Sequence, residues 1–158
     1  MTVDQHSFRA VLGRFASGVT VVTTRDGRGR DRGMTVSAFT SVSLEPPLVL
    51  VCIGHEASMS TAMAKATHFT VNILADSQEA LARRFAEPGP KGFAGIGYTR
   101  GKNGMAVLEE VLGYIECEIV ARHVAGDHDV VVGSVDVAIA DEGKPLLYYR
   151  GGYAQLER

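Results

Sequence analysis

Phe8, Leu12 and Phe15 recur at helical spacing behind Asp4 and Ser7, either of which can cap a helix, and Gly18 is a stop signal for it. The stripe reads as the core-facing side of that helix. Val19 to Thr24 is β-branched throughout, which predicts a strand. Arg25 to Gly33 holds three glycines and charges of both signs, the signature of a turn between strands. Strand pieces follow at Met34 to Ala38 and Ser41 to Leu44, around Phe39-Thr40. Glu45-Pro46-Pro47 then interrupts the ladder, because proline has no N–H to give it. Leu48 to Ile53 is continuously apolar and reads as a strand buried on both faces.

Ser58 or Ser60 can cap a short helix through Met63 to Ala66, and Phe69 to Leu74 is a further strand. Asp76 and Ser77 open a second helix carrying Leu81 and Phe85. Ala86 to Gly104 is rich in Gly and Pro and predicts an ordered loop. Tyr114 to Val124 alternates as a long strand does. Gly126-Asp127-His128-Asp129 is a turn, Val130 to Ala140 the next strand, and Glu142-Gly143-Lys144 a turn into Pro145 to Tyr149. Seven or so strands with few helices indicate a mainly β, closed or nearly closed barrel. Strands do not alternate with long helices, which disfavours a doubly wound parallel sheet. No repeat or linker divides the chain, so residues 1–158 read as one domain.

The length of 158 residues suits that reading, and a chain of this size buries a core without disulfides or metals. With 46% hydrophobic and 22% charged residues the composition is ordinary. A net charge of -2 offers no bulk attraction to nucleic acid or to a membrane surface. Cys52 and Cys117 sit in apolar runs and read as buried free thiols. The N-terminus lacks a basic region followed by an apolar stretch, and no apolar run is long enough to span a bilayer, so the cytoplasm is the expected location.

The stretch with the most chemistry runs from Gly33 to Leu48. Thr35, Ser37, Thr40, Ser41 and Ser43 bring hydroxyl donors, and their small side chains leave backbone N–H groups open. Such a ribbon suits a flat ring with acceptors along its edge and a phosphate-ended chain. It equally suits the solvent face of a strand pair.

This stretch resembles the flavin-binding signature of the flavin reductase-like family, whose members have an FMN-binding split barrel. Leu48-Val49-Leu50-Val51-Cys52-Ile53-Gly54, Leu81-Ala82-Arg83-Arg84-Phe85-Ala86, Gly126-Asp127-His128-Asp129 with Val132-Gly133, and Pro145 to Tyr153 follow the same pattern in the same order. The resemblance spans nearly the whole chain and is nearest to the reductase components of two-component flavin monooxygenases. It implies a homodimer that uses NADH or NADPH to reduce FAD or FMN and hands reduced flavin to a monooxygenase partner.

It also implies roles by position. Thr35, Val36, Ser37 and Ala38 line the isoalloxazine edge. Ser41, Val42 and Ser43 meet the ribityl chain or phosphate, and Cys52, Ile53 and Gly54 border the flavin. Ser58 and Ser60 reach its phosphate, and Phe85 and Ala86 cover its other end. His128 lies near the nicotinamide as an orienting, hydrogen-bonding group, and Tyr153 helps close that pocket. Two departures stand out: Ser37 occupies a position where many relatives carry Asn, and Lys91-Gly92-Phe93 is less charged than its counterpart.

Hydride transfer between two stacked rings needs no nucleophilic triad and no paired carboxylates. Two rivals share the ribbon: a pyridoxamine-phosphate oxidase-like protein holding its flavin tightly, and a non-catalytic flavin-binding module. Gly95-Ile96-Gly97-Tyr98-Thr99-Arg100-Gly101 misplaces the third glycine of a dinucleotide fingerprint and reads as a loop. Arg25, Arg28, Arg30 and Arg32 are offset by Asp26 and Asp31 and read as a solvated turn. The histidines show no metal spacing.

Overall fold

The computed structural model describes residues 1–89 and 92–157; Lys91, one of the two departures noted above, lies outside them. Three helices, α1 (Gln5–Leu12), α2 (Met59–Lys65) and α3 (Glu79–Ala86), accompany twelve strands. These are β1 (Ser17–Gly18), β2 (Thr20–Arg25), β3 (Asp31–Val36), β4 (Phe39–Ser43), β5 (Leu48–Gly54), β6 (His68–Ile73), β7 (Tyr98–Arg100), β8 (Ala106–Leu108), β9 (Gly113–Ala125), β10 (His128–Ala140), β11 (Leu146–Tyr149) and β12 (Gly152–Gln155).

Seven strands form an antiparallel sheet in the order β3-β2-β6-β9-β10-β5-β4. Its two end strands, β3 and β4, are joined only by Ser37 and Ala38. A flat sheet would hold its ends about 29 Å apart at roughly 4.8 Å per strand spacing. Two linking residues reach only about 11 Å. The sheet must therefore curl until its ends meet, and the Cys52 N–H on β5 donates to the Ala38 carbonyl at that junction. This is a split β-barrel.

Two apolar clusters share the strands between them. Val22, Val51, Ile53, Met63, Phe69 and Val131 fill the barrel. Val19, Val21, Leu74, Ala82, Phe85 and Leu146 pack outside it beneath α3 and β11. Val21 and Val22 point to opposite sides of β2, so this strand is buried on both faces. In β5, Val49, Val51 and Ile53 are buried while Leu48, Leu50 and Cys52 are only half-buried, so the expected two-sided burial of that run is one-sided.

The hydroxyls of Thr20, Thr23 and Thr24 are buried and donate to the carbonyls of Val36, Ala106 and His68. Asn72, also buried, donates to the Val21 carbonyl and accepts from the Leu108 N–H.

Asp4, not Ser7, caps α1 by accepting the Ser7 N–H. The helix stops at Gly13, five residues short of the Gly18 predicted to end it. Ser17 and Gly18 instead pair with Tyr148 and Leu147. The stripe of Phe8, Leu12 and Phe15 does not face the core: Phe8 is 55% exposed and Phe15 80%. Amphipathic spacing shows that a face seeks cover, but not which surface supplies it. The loop from Ala86 to Gly104 contains β7, paired to β8, and β12 pairs with β11. Both were missed because strands of three or four residues leave too little periodicity to read.

Candidate active site

The β3–β4 junction opens onto a cleft of about 490 Å3. Ser37 and Ala38 form one wall, Phe8, Arg9 and Leu12 of α1 with Phe15 beyond its end another, and Tyr148 and Arg150 a third. A smaller space of about 170 Å3 continues from Ser37 to Thr35, Ala86, Tyr148 and Tyr153. The rings of Tyr148 and Tyr153 meet edge to face at 5.4 Å, and the Arg83 guanidinium lies 4.9 Å from the centroid of Tyr153. Burial raises the Tyr153 phenol above its ordinary value, which keeps it neutral. Tyr153 thus lines the space beside Thr35 and Ser37, and is not among the residues that share a space with His128, where it was expected.

That turn closes β9 onto β10. His128 is the register partner of Gly54, and a Cβ added at Gly54 would stand 3.5 Å from Nε2 of His128. The imidazole thus lies in van der Waals reach of Gly54. The Asp127 carboxylate lies 2.7 Å from His128 Nδ1, and Asp129 holds His55 Nε2 at 2.9 Å. The pairing to His128 holds the Asp127 carboxyl below its usual range. Beside His128 runs a trough of about 360 Å3, lined also by Val3, Gln5, Phe8 and Arg9. Phe8 and Arg9 belong both to this trough and to the Ser37 cleft, so α1 joins the two spaces.

Other expected residues lie elsewhere. Val36 and Ile53 are 4% and 1% exposed and belong to the core; the Val36 carbonyl is taken by Thr20. The Thr35 hydroxyl donates to the Ala82 carbonyl on α3, which anchors β3 and removes that hydroxyl as a free donor. Phe85 is 2% exposed and supports β3 from behind, packed on Phe93, so it covers no ligand; Ala86 does line the cleft. Consecutive residues of a helix point about 100° apart, which separates the two. Ser41, Val42 and Ser43 lie on β4 beyond the junction and are not among the residues lining the Ser37 cleft. Cys52 is half-buried beneath the junction, donating its N–H to Ala38. Ser58 lines a separate basic pocket with Thr61, Lys65 and the β2–β3 turn, while the half-buried Ser60 is not among the residues lining that pocket.

Sequence reasoning missed Arg9, Tyr148 and Arg150, and assigned Phe8, Leu12 and Phe15 to the core. The stripe itself was the available signal. The sheet also brings His68, Glu118 and Asp136 together, their ligand atoms all within 4.8 Å of one another. These sit side by side on β6, β9 and β10, with both acids exposed, and such surface acids meet without an ion.

Residues 12–157 match the flavin reductase like domain. The chain belongs to that family. It is 43% identical over 155 residues to an NADH-dependent flavin reductase of Rhodococcus sp, covering 94% of this chain and 85% of that protein. It is 42% identical over 151 residues to the reductase component of a 4-nitrophenol 4-monooxygenase/4-nitrocatechol 2-monooxygenase of Rhodococcus opacus, covering 96% and 80%. Its fold superposes with a TM-score of 0.91 and 34% identity on the NADH:FAD oxidoreductase SgcE6 of Streptomyces globisporus C-1027 in complex with NAD and FAD fragments, covering 99% of this chain and 96% of that one.

The flavin reductase fold met here fits a planar cofactor at the β3–β4 junction. β3 is an end strand of the sheet, so alternate N–H and C=O groups along its outer edge have no strand to pair with. Ser37 and Ala38 are exposed at its end, and the cleft beside them lies in the size range of small-molecule sites.

Proposed function

We propose that this chain uses NADH or NADPH to reduce FAD or FMN and supplies the reduced flavin to a separate flavin-dependent monooxygenase. One observation carries the reading. The Ser37–Ala38 cleft and the His128 trough are neighbouring spaces that share Phe8 and Arg9, which supports two flat ligands whose rings meet where the spaces join. When both are bound, the nicotinamide supplies a hydride from C4 and the flavin accepts it at N5.

The protein's part is to hold and to exclude. Backbone donors of the β3 edge, with the Ser37 hydroxyl, fix the ring edge and favour negative charge there. Phe8, Leu12, Phe15 and Tyr148 wall the cleft with apolar surface and keep water from the reacting faces. Asp127 orients the His128 ring through Nδ1, leaving Nε2 toward Gly54. Ser58, on the basic pocket, is placed for a phosphate. No side chain has to abstract a proton.

The exposed apolar face of α1 and the turn after it, with Phe8, Val11, Leu12 and Phe15 all at least half exposed, supports a homodimer that covers it. Residues 1–158 act as one domain in this reading, since β2 is common to both apolar clusters. No helix among the described residues is long and apolar enough to cross a membrane. A cytoplasmic place suits the two free thiols.

A steady-state matrix of FAD and FMN against NADH and NADPH tests the reaction. Oxidation of many equivalents of NADH per protein, dependent on added flavin, is expected. Turnover limited to a tightly held flavin would support a pyridoxamine-phosphate oxidase-like role, and no NADH loss above the blank would leave a binding module. Light scattering at working concentration reads the dimer; a monomer mass would remove that part.

A further inference from the structure

The two spaces that α1 joins differ in charge. Arg9 and Arg150 border the Ser37 cleft, and no acid is among the described residues that line it. A further space of about 340 Å3 opens from the same two arginines toward His6 and Arg14, again with no acid among the described residues lining it. Arg14 donates from Nη1 to the Ala10 carbonyl, whereas the side chains of Arg9 and Arg150 form no ion pair among the described residues. The His128 trough also borders Arg9, but there Asp127 lines the same space and offsets its charge. The cleft thus has two uncompensated guanidiniums, and the one it shares with the trough meets a carboxylate on that side.

The backbone holds the two arginines to one lip of the cleft. Arg150 has a φ of 51°, in the left-handed region that favours glycine, and Gly151 follows it. An arginine kept in that conformation points to a use for its side chain. Its N–H donates to the Gly13 carbonyl, which ties the β11–β12 turn to the end of α1, and Arg9 lies in the last turn of that helix. This polarity matches the charge that the reaction moves. Hydride transfer breaks the C4–H bond of the reduced nicotinamide with its electron pair and makes the N5–H bond of the flavin, so the nicotinamide ring becomes a cation and the flavin ring an anion. Arginines at the cleft favour the anionic ring and gain nothing from the uncharged oxidised one, and Asp127 in the trough favours the cationic ring. Once a ring displaces water from the cleft, these charges are screened less.

We infer that Arg9 and Arg150 make the cleft hold reduced flavin more tightly than oxidised flavin. The inference rests on the flavin ring lying in the Ser37 cleft, as proposed above. Its consequence is a raised two-electron potential for the bound ring, set by two charges on the lip of the cleft.

Riboflavin is the probe, because it has no phosphate and its oxidised ring is uncharged. Anaerobic titration at mildly alkaline pH, where the reduced ring is anionic, compares its oxidised and dithionite-reduced forms. The proteins are wild type, Arg9→Gln/Arg150→Gln and Arg9→Lys/Arg150→Lys. Wild type is expected to prefer the reduced form, and the glutamine variant to lose about tenfold of that preference, a fall of about 30 mV in the two-electron potential of the bound ring. The lysine variant keeps the charge and should stay within about threefold of wild type. The wild-type preference should shrink in high salt, because both arginines are exposed and their charges are screened. Arg9→Gln alone serves if the pair disturbs folding. Equal weakening of both forms would overturn the inference by giving the arginines a packing role. An unchanged preference, or lysine variants that lose as much as glutamine variants, would overturn it too. So would a loss confined to FMN and FAD, which would assign the arginines to a phosphate. Wild-type protein that binds neither form of riboflavin would sink the flavin cradle itself, and this inference with it.

Discussion

Gly33→Ala tests whether β3 is held in place by the aromatic wall behind it. A Cβ at this position would lie 2.7 and 3.0 Å from Cε1 and Cδ1 of Phe85 and 3.3 Å from Cζ of Phe93. Phe85 cannot yield easily. It is 2% exposed, packs on Phe93 at 5.3 Å between ring centroids, and sits on a helix tied to β3 through Thr35 and Ala82. Overpacking of this kind costs about 1–3 kcal/mol. Alanine's smaller loss of chain entropy returns roughly 0.4–1 kcal/mol. The net expectation is a loss of about 1–2 kcal/mol, or some 2–8 °C in Tm for a chain of this length.

Urea unfolding followed by circular dichroism should show a lower midpoint with an unchanged slope, since the exposed area is the same. Phe85→Leu removes the ring atoms that clash, so the double variant should be more stable than the sum of the single losses by about 0.5 kcal/mol or more. A Gly33→Ala change within about 0.5 kcal/mol of wild type would refute the argument. So would additive losses. A Phe85→Leu variant that lost flavin affinity while keeping its stability would return Phe85 to the ligand side of the strand.

His128→Ala should raise the KM for NADH about tenfold with flavin affinity within twofold, as removal of one positioning hydrogen bond predicts; equal losses in both would displace His128 from the nicotinamide side. Ser37→Trp fills the cleft and should abolish flavin binding with the fold intact by circular dichroism, and unchanged affinity would move the site off the β3–β4 junction. Burial, with the charges of Asp136 and Glu116 beside it, pushes the Cys117 thiol up to about 12, and burial also raises Cys52. Ellman's reagent near pH 8 should therefore leave Cys117 untouched in native protein and titrate both thiols only in denaturant; prompt reaction of both would contradict the packing. Asp26 is held well below the usual carboxylate range, chiefly by the Arg30 N–H, then by the Arg28 N–H and the Arg30 and Arg32 guanidiniums, with burial opposing. Its folded value lies below its unfolded one, so it contributes stability above about pH 4 that is lost as pH falls toward the folded value. Asp26→Asn should flatten the acid limb of the stability curve, and an unchanged limb would mean that the turn opens before it titrates.

The sequence by itself determined the strand-rich class, a cap at Asp4 or Ser7, most strand positions and the family. Each of these depends on neighbours within a few residues: β-branched runs, turn glycines, and hydroxyls interleaved with small residues in a recognisable order. It also singled out Ser37–Ala38 and His128, which border the two spaces that share Phe8 and Arg9. Only the tertiary structure decided what faces what. Phe85 and Ala86 are adjacent in sequence, yet one supports β3 and the other lines the cleft, because α3 turns them to different sides. The stripe of Phe8, Leu12 and Phe15 stayed out of the core and walls the Ser37 cleft, because barrel closure had already filled the interior from β2, β5, β6, β9 and β10. Arginines that looked neutralised along the chain became a pocket, because one aspartate braces two of them and α2 brings Lys65 from the far side. Local pattern specifies which face is apolar or charged. Long-range packing specifies the partner it meets.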